Sequence, residues 1–278
     1  MTRHTTADLP QSGSGRQYHI GVGPGELAPT ILLCGDPQRA HRMAGYFTDC
    51  ASPRTNREYV TITGRYHGLS CSVMATGMGP DNTEIALVEI AQLVTRPILI
   101  RVGTSGGLLD TISIGDLVIS TGAVRYENTS TAFVPEGYPA VAHHDVTLAL
   151  MESATRRKAR FHLGLTATGA GFYGAQGRDI PQFPSRYATR LDELARLGVC
   201  NFEMEASCLF TLATLMQARA GCVCGVIAQR NANAWVDEAT KARLEQETIE
   251  VALEAVEILA RMDAHRAAAP HWLPSMGC

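Results

Sequence analysis

Short apolar runs alternate along the chain with longer stretches whose apolar residues recur every three or four positions. The short runs predict strands at Ile31–Cys34, Tyr59–Thr63, Leu69–Ala75, Ile98–Val102, Leu117–Ser120, Phe161–Thr168 and Gly221–Ala228. The longer ones predict helices over Gln38–Phe47, Asn82–Val94, His144–Arg157, Gln182–Leu197, Ala206–Arg219 and Glu238–Asp263. In the second helix Ile85, Val88, Glu89 and Leu93 form one stripe. The last helix sets Ile249, Leu253, Val256 and Leu259 on one face, as a helix capping a sheet requires. Pro270 and Pro274 follow it and argue against continuation.

Strands alternating with helices define an α/β sandwich, with a central, largely parallel or mixed sheet flanked by helices. No change in composition divides the chain and no repeat is visible, so one domain is expected over 18–263. Residues 1–17, polar with Gly and Ser at 12–15, read as a flexible N-terminal tail, and 264–278 as a C-terminal one.

Composition narrows the function. The 278 residues are 45% hydrophobic with a formal net charge of −3, which argues against a basic nucleic-acid surface. Lysine occurs only at 158 and 241, so a bound anion would meet planar guanidinium forks. No apolar run is long enough to span a membrane, and the N-terminus lacks the apolar core of a signal peptide. The eight cysteines include no CxxC spacing and read as reduced thiols of a cytoplasmic protein. Cys222 and Cys224 would point the same way on a strand, into packing. His143-His144 is the one histidine pair, and nothing around it reads as a metal site.

Candidate chemistry lies at two kinds of place. Asn201-Phe202-Glu203-Met204-Glu205-Ala206 sets two carboxylates just before an apolar segment. Acids beside a core need partners, and a helix starting near Ala206 would tolerate them at its N-terminus. Glu203 and Glu205 could then accept hydrogen bonds from a polyhydroxyl ligand such as a sugar. Glycines also cluster at strand ends, in Gly35-Asp36-Pro37-Gln38-Arg39, Thr76-Gly77-Met78-Gly79 and Arg101-Val102-Gly103-Thr104-Ser105-Gly106-Gly107. There backbone N–H groups can approach an anion, with Arg39, Arg101 and Thr104 adding side-chain donors. Ligands of open α/β sheets sit at these carboxyl ends. No Gly-Lys-Ser/Thr loop is present. Gly21-Val22-Gly23-Pro24-Gly25 precedes a strand instead of following one, so it is a poor dinucleotide fingerprint.

Together with His19-Ile20-Gly21-Val22, Asn56-Arg57-Glu58-Tyr59, Phe172-Tyr173 followed by Gln176 and Arg178, and Val226-Ile227-Ala228-Gln229-Arg230, these segments stand in the order found in the nucleoside phosphorylase superfamily. The chain resembles that superfamily, and within it the uridine phosphorylases, over about residues 18–262. The resemblance implies phosphorolysis of a pyrimidine nucleoside to its base and ribose 1-phosphate. It implies a phosphate site of Gly35, Arg39, Arg101 and Thr104, with Arg57 from a neighbouring subunit. The ribose would meet Met204 and Glu205, with a neighbour's His19 near the 5′ hydroxyl, and the base would meet Phe172, Gln176 and Arg178. Catalysis would rest on Arg101, Gln176, Arg178 and Glu205. Purine-cleaving relatives carry an aspartate after the strand ending in Ile227-Ala228-Gln229-Arg230, and 228–231 hold no acid.

The resemblance further implies no organic cofactor, with phosphate as co-substrate and a monovalent cation possible between subunits near Glu58, where Asn82 stands in a position often held by serine. It implies a dimer-based homo-oligomer, a hexamer, acting on small molecules and on neither nucleic acid nor membranes. The readings that compete are a nucleosidase or purine phosphorylase of the same fold, a non-catalytic nucleoside-binding protein and a dinucleotide enzyme.

Overall fold

A computed structural model describes residues 6–266 and 269–277. Parts of both expected tails, residues 1–5, 267–268 and 278, lie outside the described residues.

The strands are β1 (Thr30–Cys34), β2 (Arg54–Asn56), β3 (Tyr59–Tyr66), β4 (Leu69–Ala75), β5 (Ile98–Gly107), β6 (Leu117–Tyr126), β7 (Ala140–Val141), β8 (Phe161–Gly169), β9 (Asn201–Glu203), β10 (Arg219–Gln229) and β11 (Ala234–Trp235). The helices are α1 (Pro37–Ala44), α2 (Pro80–Ala91), α3 (His144–Arg156), α4 (Arg190–Arg196), α5 (Ala206–Leu215) and α6 (Glu238–Arg266). All strands join one mixed sheet, ten in the order β11-β10-β6-β8-β9-β5-β1-β4-β3-β2 and β7 beside β6 off that path. Because β10 also pairs with β5, the strands β5, β10, β6, β8 and β9 close into a ring, and β1, β4, β3 and β2 extend from it as an open wing. β1, β4, β5 and β10 run parallel, so their carboxyl ends meet at one edge.

Successive side chains of a strand face opposite ways, and two apolar layers result. Ile100 and Val102 of β5 face α1, α3 and α6, where Met43, Val146, Leu150, Leu253 and Leu259 are buried. Leu99 faces α2 and α5, with Leu87, Ile90, Leu209 and Phe210. Gly221 lets α3 approach β10, since a Cβ there would stand 2.4 Å from Cγ1 of Val146.

The expected stripe of α6 is buried along its length, with Ile249, Leu253, Val256 and Leu259 at 3% exposure or less. That helix continues to Arg266, whose Nη2 donates to Asp263 Oδ1 at 2.7 Å. In α2 the face differs from the expected one. Ala86, Leu87 and Ile90 are buried beside Glu89, whereas Ile85, Val88 and Leu93 are half-buried. The helix expected over Gln182–Leu197 shortens to Arg190–Arg196. Pro184 cannot donate to a helical carbonyl, and Ser185 is engaged by Asp179 Oδ1 and Gly174 O in the preceding loop. β2, β7, β9 and β11, of two or three residues each, were not expected. At the N-terminal side, Gln17 is buried and Arg16 donates to Glu26 Oε1 at 2.7 Å.

Among the described residues no helix is long and apolar enough to cross a membrane. The seven described cysteines are all unpaired, and Sγ of Cys222 and Cys224 stand 3.6 Å apart inside the core. Cys278 lies outside the described residues.

Candidate active site

A cavity of about 420 Å³ opens at the shared carboxyl edge of β1, β4, β5 and β10. This volume suits a small ligand with a few polar anchors. It is lined by Gly35 and Arg39 after β1, Gly77 and Met78 after β4, and Arg101 and Thr104 on β5. Glu203, Met204 and Glu205 enter from β9, and Phe172, Gln176 and Arg178 from the loop after β8. A bulge displaces the register of β10 against β5 between Val226 and Ala228, and Ile227 at that bulge joins the wall.

The floor is built on buried charge. Arg101 donates from Nε to Glu203 Oε2 at 2.8 Å, and its Nη2 lies 2.5 Å from Glu205 Oε2. Burial works against its charge, but Glu205 and then Glu203 overcome that and hold the guanidinium well above its ordinary pKa. Arg101 is thus both the buried ion pair and the cation at the cavity wall. Arg39, also buried, donates from Nε to Glu245 Oε1 at 2.8 Å and from Nη1 to Val102 O at 3.1 Å. Arg39, Arg101, Thr104 and Gly35 therefore line the same cavity, the combination an oxyanion wants. Gly77 and Met78 line it too, but the Gly79 N–H is spent on Glu205 Oε1 at 2.5 Å.

The two carboxylates divide their work. Glu203 fills its oxygens internally, accepting from Thr168 Oγ1 at 2.5 Å, from Arg101 Nε, and from the backbone N–H groups of Glu205 and Ala206. The reading of Glu203 as a sugar acceptor is therefore corrected: its carboxylate welds β9 to the first turn of α5 and anchors Arg101. Glu205 keeps accepting capacity, with one oxygen toward Arg101 and the other toward the N-terminus of α2. Burial raises its pKa, Arg101 opposes that, and Glu203 adds to it, for a net upward shift.

A further part of the lining comes from the loop after β8. Gln176 is buried, and its Oε1 accepts from Arg178 Nη1 at 2.8 Å and from Arg230 Nη1 at 3.5 Å. Arg230 Nη2 also holds Gln176 O at 3.1 Å. With Oε1 so engaged, the Nε2 amino group is the part of Gln176 placed to donate to a ring carbonyl. Arg178 lies 3.7 Å over the Phe172 ring and donates to Phe172 O. Burial and then Arg230 push its pKa down to about 10, which leaves it cationic at neutral pH. The glycine-rich loop is held in place by these contacts and by Arg190 Nη1 on Ala175 O. Arg230 was legible in the sequence only as the cation standing where an acid might follow β10. Trp235, half exposed on the rim, carried no signal there.

His19 and Arg57 are not brought into this cavity. His19 Nδ1 lies 2.7 Å from Glu89 Oε1, and Arg57 sits over Tyr18 at 5.4 Å. Glu58 is exposed, and its Cγ and the Asn82 amide nitrogen both lie against Gly77, 3.1 and 2.6 Å from where a Cβ would stand. Elsewhere His143, His144 and Asp145 bring donor atoms within 4.8 Å of one another. The two rings stack at 4.4 Å and 21°, and Arg219 and Arg266 stand 3.2 and 3.6 Å from Asp145 Oδ2.

Two buried guanidinium groups, a carboxylate with accepting capacity and an amide with a free amino group line one cleft. The chain belongs to the phosphorylase superfamily, whose family model matches residues 29–262. It is similar to a uridine phosphorylase of Thermococcus kodakarensis, 43% identical over 99% of each chain. A uridine phosphorylase of Treponema pallidum is 34% identical over 90% of this chain and 96% of its own. Among solved structures, a Trypanosoma brucei nucleoside phosphorylase described as showing uridine phosphorylase activity superposes with a TM-score of 0.83, at 25% identity, over 90% of this chain and 99% of that one.

Proposed function

We propose that this protein cleaves uridine with inorganic phosphate, giving uracil and ribose 1-phosphate. The observation that carries the reading is the pairing, in one cavity, of the Arg39–Arg101–Thr104 floor with the Gln176–Arg178–Arg230 head. Phosphate lies on the floor and attacks the anomeric carbon as the bond to the pyrimidine nitrogen breaks. The sugar gains positive charge, stabilised by the nearby phosphate, and the base leaves with negative charge. Gln176 Nε2 and Arg178 donate to the base oxygens where that charge develops. Glu205 accepts from the ribose hydroxyls and, with Met204, fixes the ring above the phosphate. Phe172, stacked under Arg178, packs against the base. A purine route would need a proton donor at the end of β10, where Ala228, Gln229, Arg230 and Asn231 stand.

The reaction needs neither metal nor organic cofactor in this scheme. His19 and Arg57, outside their own cavity, act in that of an adjacent subunit, so the working unit is a dimer, assembled into a hexamer. A cytoplasmic role in pyrimidine salvage follows from the substrate. Incubation with uridine, with and without phosphate, tests the reading. Uracil should form only with phosphate. Equal release without it points to a nucleosidase, binding without release to a non-catalytic nucleoside-binding protein, and faster cleavage of inosine to a purine enzyme.

A further inference from the structure

We propose that Glu245 of α6 is a positioning residue that sets the phosphate affinity of the site; the proposal rests on reading Arg39 as a phosphate ligand. Arg39 and Glu245 are 206 residues apart in the chain, and Nε of the one donates to Oε1 of the other at 2.8 Å. Nη1 of Arg39 donates to Val102 O at 3.1 Å. Two of its three nitrogens are thus fixed by protein, which sets the plane of the guanidinium. Nη2 has no protein acceptor among the described residues, and Arg39 lines the cavity together with Gly35, Arg101 and Thr104.

Such a brace would be self-defeating if Glu245 simply cancelled the charge of Arg39. A second cation prevents this. Arg42 donates to the same Oε1 from Nε at 3.1 Å and from Nη2 at 2.5 Å, and Nη2 also reaches Asp36 Oδ2 at 3.0 Å. Asp36 in turn caps α1 through Gln38 N at 2.9 Å. The row Asp36–Arg42–Glu245–Arg39 alternates in sign, so Arg42 draws on the Glu245 charge and leaves Arg39 attractive to an anion. α6 is a firm platform: Leu244 and Ile249, on either side of Glu245, are buried at 2% and 1% exposure.

Steady-state kinetics with both substrates varied tests this. E245A should raise the KM for phosphate roughly tenfold, the scale of a lost charge-assisted hydrogen bond, with kcat and the KM for uridine within about twofold of wild type. E245Q keeps an acceptor for Arg39 Nε, and its phosphate KM should stay at or below the wild-type value. Equal rises in both KM values, or an E245Q defect matching that of E245A, would make Glu245 a general structural residue and overturn the proposal. If E245A does not fold, E245D decides: it keeps the charge but falls a methylene short, so an unchanged phosphate KM overturns the proposal. R39A is measured in parallel. A phosphate-independent wild type, or an R39A enzyme with normal phosphate KM, refutes the functional reading itself; a raised phosphate KM in R39A with none in E245A refutes only the role of Glu245.

Discussion

Arg101 Nε and Glu203 Oε2 meet at 2.8 Å from positions 102 residues apart, and this contact ties β5 to β9 just before Met204 and Glu205. Both side chains are almost wholly removed from solvent. Substituting Arg101→Ala would strand the carboxylates of Glu203 and Glu205 without their cation. Breaking a buried pair in this way costs roughly 3–5 kcal/mol. The variant should melt at clearly lower temperature and lose turnover at least ten- to a hundredfold, the scale of roughly 1.5–3 kcal/mol per charge-assisted contact. Calorimetry and uracil release check both effects, and a variant with wild-type turnover would place the phosphate elsewhere.

Gly103 guards the same guanidinium. A Cβ at this position would lie 2.8 Å from Cys224 Sγ and 2.9 Å from Arg101 Nη2. Gly103→Ala should therefore cost about 1–3 kcal/mol by overpacking and lower kcat/KM as Arg101 is displaced. Combining it with Cys224→Ala, which opens space on one side, should recover part of the stability. Thermal melts of the single and double variants read this out; no recovery would mean that the strain falls on Arg101 alone.

Gln176→Ala should reduce uridine cleavage more than any residual inosine cleavage. The amide lost is the one whose Oε1 is tied to Arg178 and Arg230, leaving its amino group to donate to the ring carbonyl if the base is read there. One such contact is worth roughly 0.5–1.5 kcal/mol, or more when the partner charge is left unpaired. Parallel kcat/KM measurements on the two nucleosides decide it, and equal losses contradict base reading by Gln176.

His143 predicts how stability changes in acid. Burial lowers its pKa from 6.5 to about 4; Asp145 opposes the shift, and His144, Arg219 and Arg266 add to it. The unfolded chain takes up this proton near 6.5 and the folded chain only near 4, so the unfolded state binds more protons between those values. Stability should fall as pH drops through that window and level off below it. The contribution is about 2 kcal/mol after allowance for solvent access. His143→Asn can still accept from Asp145 N but does not titrate, so its urea-unfolding free energy should lose this part of the pH slope. An unchanged slope would assign the acid sensitivity to other groups.

The sequence reveals those features that repeat locally or are carried by a single residue's chemistry. The α6 stripe is visible because four apolar residues recur over nearly three turns, and Arg39 and Arg101 because so few cations stand at strand ends. β9, three residues long, has no period to detect, yet it supplies Glu203. The filled oxygens of Glu203 depend on Thr168 and Arg101, partners 35 and 102 residues away. The role of Arg230 likewise depends on a contact with Gln176 across 54 residues. The over-long helix at 182–197 had a nearer cause, the weight of Pro184 against the polar periodicity that follows it.

Closure of β5, β10, β6, β8 and β9 into a ring leaves the sheet few places where another chain could add a strand. The edge strands are β2, of three residues, and β7 and β11, of two each, and β8 pairs with β9 only over Thr166–Thr168. Short edges of this kind offer little template for edge-to-edge growth, whereas the Phe161–Leu165 stretch of β8 is the longest open one.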